Sequence, residues 1–293
     1  MEKERSNLKW VYFLSVISVN QCSINNDFEG IRLNSDGIIY TTDVSRKYLM
    51  KRYMKYNLGL KIAGLPDKNK QGMYSYLKDN SKLIQTLETT SKDTEKQLKT
   101  MCEFKDVNMF GYLFTDTFGK SDEKSLIQLS NSTLTGYLQV SNGINIGQKN
   151  DVINMTIING NKTKETTEEN KSGSIGSKQI IEEAYILNTI FINPNQYKEN
   201  FDLFSEEKDF EKSYDNDISI IEKTLSNDAN SFRTSSRNNI FNEVLIKIES
   251  DSALNLGKTP LIIENNKIIL SKKIKELEKT GTIKIIEILN ESK

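Results

Sequence analysis

The chain has 293 residues, enough for one large domain or two small ones. Hydrophobic residues make up 36% of it and charged residues 27%, a composition that favours one modest core carrying polar insertions. It contains no histidine, which excludes nucleophile–histidine pairs and the HExxH zinc site, and its formal net charge of +0 does not by itself indicate a nucleic-acid binder.

The N-terminal part predicts a buried strand. Trp10 to Val19 is apolar and rich in β-branched and aromatic residues, and it is too short to cross a bilayer. Glu2 and Glu4 disagree with the positive start of a secretory signal, so we expect a cytoplasmic protein without a membrane partner. Cys22 and Cys102 form no CxxC spacing, and we therefore expect reduced thiols, no metal site and no cofactor.

A basic helix follows the loop from Gln21 to Thr42. Val44 to Tyr56 predicts this helix, and Thr42 or Asp43 is available to cap it. Three lysines recur at a spacing of four residues with one arginine beside them, so they form a single stripe: Lys47, Lys51, Lys55 and Arg52. A line of cations on a rigid element suits a phosphodiester backbone, and a solvated helix face is the alternative.

Arg46 belongs to the same helix but lies toward its apolar side. The apolar residues Leu49, Met50 and Tyr53 mark that side. A long arginine side chain can bury its stem and still place its guanidinium in water. We therefore expect Arg46 to snorkel outward and to join the four stripe cations in a candidate RNA-binding set.

The middle of the chain begins with a polar segment that does not have the apolar pattern of a core, and predicted strands follow it. Gly59 to Lys105 predicts a mostly helical polar excursion, and Val107 to Phe114 and Leu134 to Val140 predict strands. A second polar excursion, Gln148 to Ser172, precedes the predicted strand Ile180 to Ile192.

The second excursion and its borders hold further candidate contacts. Gln139 and Asn142 end a predicted strand, where short amides contact either phosphate and ribose or their own turn. Lys178 follows two glycines that suit a phosphate nest. The excursion contains an apolar patch that either wedges between bases or packs as a small hairpin on its own domain: Met155, Ile157 and Ile158.

The C-terminal part is acidic at first and then alternates strands and a helix. From Lys198 to Asp228 there are ten acidic and four basic residues, a net of −6, so the rest of the chain is +6. Arg233 and Arg237 lie in a serine-bearing loop, which suits phosphate contact or is a flexible linker. The segments that follow predict a strand, a helix and a strand: Glu243 to Glu249, Ser271 to Lys279 and Thr282 to Leu289. Together the elements predict an α+β fold with helices on one face of a sheet.

Four segments, taken in chain order, resemble the repeating guide-RNA-binding backbone subunit of type I CRISPR surveillance complexes, the Cascade-like assemblies, most closely the I-B kind. They are the basic helix Asp43 to Tyr53, the element Asp106 to Gly111, the arm Thr133 to Pro194 and the loop Asn230 to Arg237. The second of these departs from the family pattern, because Asn108 stands where arginine is usual.

The resemblance implies a fold and a domain division. We expect a ferredoxin-like palm, related to the RNA recognition motif, with a fingers insertion and a protruding thumb. The palm takes residues 1–58, 107–147 and 178–293, the last with an acidic helical insert at 197–230. Residues 59–106 are the fingers, and residues 148–177 are the thumb.

The resemblance also implies a binding function without a catalytic step. We expect a non-catalytic subunit that polymerises along CRISPR guide RNA and presents it for pairing with target DNA. The implied partners are guide RNA, further copies of the chain, a repeat-side cap, a large subunit and the target DNA. Two alternatives stay open. One is a metal-dependent ribonuclease of the type III kind that uses Asp27 or Asp36 in the loop after the first strand; the other is a general single-stranded nucleic-acid scaffold.

Overall fold

The computed structural model describes residues 8–24, 30–63, 65, 104–113, 117–118, 127–128, 133–148, 150–159, 174–204, 209–231, 234 and 238–291. Its strands are β1 (Trp10–Cys22), β2 (Tyr40–Thr41), β3 (Gly111–Leu113), β4 (Thr117–Phe118), β5 (Ile127–Gln128), β6 (Thr133–Thr135), β7 (Leu138–Val140), β8 (Gly143–Asn145), β9 (Val152–Asn159), β10 (Ser174–Ile192), β11 (Ile240–Ser250), β12 (Leu261–Glu264), β13 (Lys267–Leu270) and β14 (Lys284–Asn290). Its helices are α1 (Asp43–Tyr56), α2 (Lys105–Phe110), α3 (Pro194–Phe204), α4 (Phe210–Leu225), α5 (Asp228–Ser231) and α6 (Lys272–Lys279).

One large antiparallel sheet organises these elements. Its strand order is β14-β11-β1-β10-β8-β2, and β7 and β9 also pair with β10. Strand β1 lies in the middle, antiparallel to both β10 and β11. The predicted strands at Trp10, Ile180, Glu243 and Thr282 are confirmed, with longer bounds for β1, β10 and β11. The predicted strand Leu134 to Val140 is instead two short strands in different sheets, because β6 pairs with β3 and β7 pairs with β10.

Strand β1 is buried on both faces because its alternate side chains enter two different cores. Val11 and Phe13 point to the face that carries α1 and α4, where they pack with Met50 and Leu225. Leu14, on the opposite face, packs against residues of the C-terminal segment. A strand that is covered on both faces has a continuous run of apolar residues in its sequence, which is the pattern that Trp10 to Val19 shows.

The helical face also contains a polar anchor. The hydroxyl of Tyr137 donates to Asp217 Oδ2 of α4 at 2.5 Å, and Lys105 of α2 makes an ion pair with the same carboxylate. Burial, with the nearby Asp217 carboxylate, raises the pKa of Tyr137 well above its ordinary value. These contacts join α4 to α2 and to the turn before β7.

A hairpin and a helix cover part of the opposite face. Strands β12 and β13 pair with each other, and Leu261, Ile268 and Ile274 pack against the sheet. The sequence predicted the helix but not the hairpin, whose turn carries Asn265 and Asn266 at positive φ. The sequence-based expectation that helices lie on one face is therefore incomplete, because α6 lies on the other.

The prediction of a strand from Val107 to Phe114 is wrong in its first half. Residues 105–110 form the helix α2, and only Gly111–Leu113 is a strand. The carboxylate of Asp106 accepts the backbone N–H of Ala63 at 2.8 Å, and it also pairs with a lysine of α1, which together hold this turn against the domain. Tertiary contacts override the local β preference of valine and phenylalanine here.

Gly111 ends α2 at a φ of 80°, a conformation that favours glycine. A Cβ at Gly111 would lie 2.4 Å from the carbonyl oxygen of Leu134, and a Cβ at Gly136 would lie 2.3 Å from the nitrogen of Gly111. Both glycines are therefore needed where the two backbones cross.

The second excursion contains a β-ribbon. Strand β9 pairs with the first eight residues of β10, so that Val152 faces Ile181 and Asn159 faces Ser174. The segment that the sequence predicted as a polar loop with an apolar patch thus includes a paired strand. No helix among the described residues is both long and apolar enough to span a bilayer.

Candidate nucleic-acid interface

The candidate interface is built on α1, whose position follows from its own sequence. Thr42 caps the helix, since its hydroxyl accepts the N–H of Ser45. The helix buries one face at a spacing of three and four residues, and the buried members are Arg46, Leu49, Met50, Tyr53 and Met54. The predicted cationic stripe therefore lies on the outer face, away from the core, where its four residues are half-buried.

Two of the stripe lysines share an aromatic neighbour. Lys47 Nζ lies 5.9 Å and Lys51 Nζ 5.5 Å from the ring centroid of Phe110, within the range of cation–π attraction. Phe110 was not among the predicted contacts, because it lies far from α1 along the chain and only the helix α2 brings it there. Residues of this kind, flat rings beside cations, suit contact with both bases and phosphates.

The same two lysines also have carboxylate partners. Lys47 Nζ lies 2.7 Å from Asp43 Oδ2, a half-buried i,i+4 pair, and Lys51 Nζ lies 3.1 Å from Asp106 Oδ2. Asp106 is 2% exposed, so Lys51 compensates a buried charge. Lys51 is therefore a structural residue as well as a candidate contact.

The C-terminal half of the stripe is bordered by tyrosines. The guanidinium of Arg52 lies 5.8 Å from the ring of Tyr48 and 5.0 Å from that of Tyr56. Tyr56 is 48% exposed. Lys55 Nζ donates to the carbonyl of Leu65 at 3.0 Å.

Arg46 lies in the interior and does not snorkel outward, so the expectation for its position is wrong. It is 2% exposed, its Nη1 lies 3.1 Å from Asp228 Oδ1, and its Nη2 donates to Ser15 Oγ at 2.8 Å. Burial lowers the pKa of the Arg46 guanidinium and raises the pKa of the Asp228 carboxyl, while the attraction between the two opposes both shifts. The guanidinium pairs with the buried carboxylate of Asp228 in α5, so the side chain does not extend into solvent. We leave Arg46 out of the proposed interface.

The two amides at the entrance to the arm satisfy backbone groups. Gln139 Nε2 donates to the carbonyl of Gly136 at 2.8 Å, and Asn142 Oδ1 accepts the N–H of Asp43 at 3.0 Å. The second bond connects the segment between β7 and β8 to the first residue of α1. Asn142 is exposed and remains beside the stripe, and its contact with RNA stays a prediction.

The ribbon presents a mixed surface. Met155 is 47% exposed and Ile153 40% exposed. Lys178 lies directly opposite Met155 in the β9–β10 register, so the two side chains share a face of the ribbon. Ile157 and Ile158 belong to β9 by their backbone, in register with Gly176 and Ile175. The wedge role of this patch stays a prediction.

The remaining predicted site residues are Arg233, Arg237, Asp27 and Asp36. Arg233, Arg237 and Asp27 lie outside the described residues. Asp36 is exposed in a turn where its N–H donates to Asn34 Oδ1 at 2.9 Å. Among the residues that the structure describes, no three carboxylates or thiols gather as a metal-binding group.

Comparison with known proteins identifies relatives of the whole chain. A family model described as CRISPR-associated protein Cas7 matches residues 9–288. No curated protein matches the chain. A solved structure titled "CRISPR RNA-guided surveillance complex, pre-nicking" is similar over 94% of this chain and 90% of that chain, with a TM-score of 0.54 and 10% identity. Another, titled "CRISPR RNA-guided surveillance complex", covers 92% of this chain and 80% of that chain at 11% identity and a TM-score of 0.49. The first likeness shows a shared fold.

Proposed function

This chain belongs to the CRISPR-associated protein Cas7 family, and we propose that it binds CRISPR guide RNA as one of several copies that line the guide in a surveillance complex. The observation that carries the proposal is the outer face of α1, where Lys47, Arg52 and Lys55 lie beside aromatic rings. Cations on a rigid helix attract phosphates without reading sequence, which suits a protein that must hold any guide.

We further propose that the domain is a ferredoxin-like palm related to the RNA recognition motif. The antiparallel order β11-β1-β10-β8 supports this, because α1 follows β1, α4 follows β10, and both helices pack on one face of those strands. Residues 59–106 are proposed as the fingers and residues 148–177 as the thumb.

The assembly that we propose is of the type I-B kind. Its members beyond the guide and further copies of this chain are a repeat-side cap and a large subunit, and the guide pairs with target DNA. We propose that the chain performs no chemical step and works in the cytoplasm. The charge distribution supports polymerisation, because a segment of net −6 and a remainder of +6 suit head-to-tail contact.

The experiment that tests the RNA interface neutralises three stripe cations and keeps Lys51. The variant carries Lys47→Gln, Arg52→Gln and Lys55→Gln, and it is coexpressed with a repeat array. Lys51 is retained because it pairs with the buried Asp106 carboxylate, and removing one partner of a buried ion pair costs about 3–5 kcal/mol. We expect guide RNA to be lost from the purified variant while its melting temperature stays near that of the wild type.

A matched control removes the same number of charges from another helix. Lys272, Lys275 and Lys279 are exposed on α6, on the other face of the sheet, and their change to glutamine is expected to leave RNA retention unchanged. Each lost phosphate contact lowers the salt dependence of single-strand binding by about 0.7, so the α1 variant loses about 2 units of slope. Equal RNA retention by the two triple variants would remove α1 from the interface.

A further inference from the structure

A cleft crosses the sheet face that is opposite to α1. Its volume is about 980 Å³, and its floor is formed by Trp10, Tyr12 and Phe191 of the two central strands. The ring centroids of Tyr12 and Phe191 are 5.9 Å apart and those of Trp10 and Phe191 are 6.4 Å apart. Three neighbouring rings thus form one aromatic platform, in which the Tyr12 ring is buried.

The far wall of the cleft is held in place by the platform itself. Residues 253–258 form this wall, and the backbone N–H of Leu254 donates to the hydroxyl of Tyr12 at 2.7 Å. Leu256 is buried in the core beneath the wall. The cleft is therefore preformed, so a ligand would not have to order it on binding.

The lining has the chemistry of a site for nucleobases. It is mainly apolar, with amides and a hydroxyl at its rim that include Asn34, Ser141, Asn142 and Asn255. Lys258 is part of the lining, and none of the described lining residues is acidic. An aromatic floor with amide groups and one cation suits an aromatic, polyanionic ligand, whereas a basic partner would meet no countercharge.

The cleft is continuous with the start of the basic helix. Asn142 lines the cleft, and the same side chain accepts the N–H of Asp43 at the first residue of α1 at 3.0 Å. Asp43 also pairs with Lys47, the first cation of the stripe, so the cleft and the stripe adjoin there. The two surfaces meet at this one asparagine.

We propose that the cleft binds unstacked bases of the single-stranded RNA whose phosphates contact α1, by stacking them on Trp10 and Phe191. This inference rests on the proposed function and adds a second contact to it. Bases stack on aromatic side chains with little regard to identity, so the cleft would strengthen binding without choosing a sequence.

Trp10 makes the proposal directly measurable, because it is the one tryptophan of the chain. Purified full-length protein is titrated with a fluorescein-labelled adenine oligoribonucleotide and with an abasic oligonucleotide of equal length, and binding is followed by anisotropy. The emission of Trp10 is recorded in the same titrations with unlabelled strands. We expect the intact strand to bind about tenfold more tightly and to quench Trp10, and the abasic strand to bind without quenching.

A matched pair of variants locates the effect. Phe191→Leu removes one ring of the platform and is expected to reduce the tenfold preference for the intact strand to about twofold or less. Phe241→Leu changes an aromatic residue that is 37% exposed and lies outside the cleft lining, and it is expected to retain the full preference. Circular dichroism melting checks that both variants fold. If Phe191→Leu does not fold, the Trp10 titration of the wild type tests by itself whether bases bind in the cleft.

The outcomes separate the two proposals. Tight binding of both strands with no quenching and no preference would overturn the base site and leave the RNA-binding function standing. Failure of both strands to bind would overturn both proposals. Trp10 emission that changes with protein concentration in the absence of RNA would assign the cleft to a second copy of the chain and overturn the base site.

Discussion

At the scale of single residues, the most consequential contact is the buried pair of Arg46 and Asp228. Both side chains are almost fully buried, and Asn242 Nδ2 donates to Asp228 Oδ1 at 2.9 Å while a backbone N–H of α5 reaches the same oxygen. The pair joins α1 to α5 and β11. An interior ion pair adds little net stability over apolar residues, but its disruption leaves one uncompensated charge.

We predict that Asp228→Asn lowers the free energy of unfolding by about 3–5 kcal/mol, because it leaves the Arg46 guanidinium buried without a countercharge. Adding Arg46→Met to it recovers most of the loss, since the asparagine still accepts from Asn242 and no charge remains. Urea denaturation of the two variants measures the difference.

The double variant also tests the placement of Arg46 outside the interface. Its salt dependence of RNA binding is expected to equal that of the wild type. A slope reduced by about 0.7 would mean that Arg46 contacts a phosphate in the complex and would restore it to the RNA-binding set.

At the scale of elements, the ribbon of β9 and β10 is separable from the sheet core. Its inner end is anchored by Ile180 and Ile181, which are buried, whereas Ile153 and Met155 are exposed. Thr156 and Ser177 face each other across the ribbon. A short turn joining these two residues would therefore preserve the inner register.

We predict that replacing residues 157–176 with Asn-Gly leaves a folded palm and weakens assembly on RNA. Asn-Gly favours the tight turn that connects two antiparallel strands. The melting temperature should stay within a few degrees of the wild type, because the buried anchors remain. Native mass spectrometry on a guide long enough for several copies should show fewer bound copies.

The control for this truncation changes a hairpin tip elsewhere. The substitution Asn266→Gly, which makes the positive-φ turn between β12 and β13 an Asn-Gly turn, is expected to leave the copy number unchanged. An unfolded truncation would show that the ribbon is part of the core, and a full complement of copies would show that it is not needed for assembly.

At the scale of the whole molecule, charge is arranged by segment, and part of it is neutralised internally. Asp217 pairs with Lys105, and Glu222 pairs with Lys247 at 2.7 Å. The exposed acids of α3 and α4 include Glu199, Asp202 and Asp215, and they remain available to another molecule. This distribution suits a protein that repeats along a polyanion.

We predict that the protein holds RNA without cutting it. Guide RNA and complementary target RNA, incubated with purified protein and Mg²⁺ or Mn²⁺, should stay intact on denaturing gels. The physical reason is that the chain has no histidine and that its acidic candidates, Asp27 and Asp36, are single residues in a polar loop. Regularly spaced cuts that disappear in Asp27→Ala or Asp36→Ala, but persist in the control Asp251→Ala, would favour the ribonuclease alternative.

The sequence by itself determined the elements whose signals are local. The apolar run at Trp10, the helix after Thr42 and the charged helix before Gly281 follow from side-chain periodicity and capping, which act between near neighbours. The cationic stripe was predictable for the same reason, since the helical repeat alone places Lys47, Lys51 and Lys55 on one face.

The tertiary structure decided the features that depend on residues distant in the chain. Asp228 holds Arg46 in the interior. The contacts of Asp106 with Ala63 and Lys51 hold α2 as a helix. The pairing of β1 with β10 places Trp10 beside Phe191. Each outcome is set by burial energy and charge compensation between segments that meet only on folding. No local pattern encodes such a meeting, and for that reason the basic helix was predictable and the aromatic cleft on the opposite face of the sheet was not.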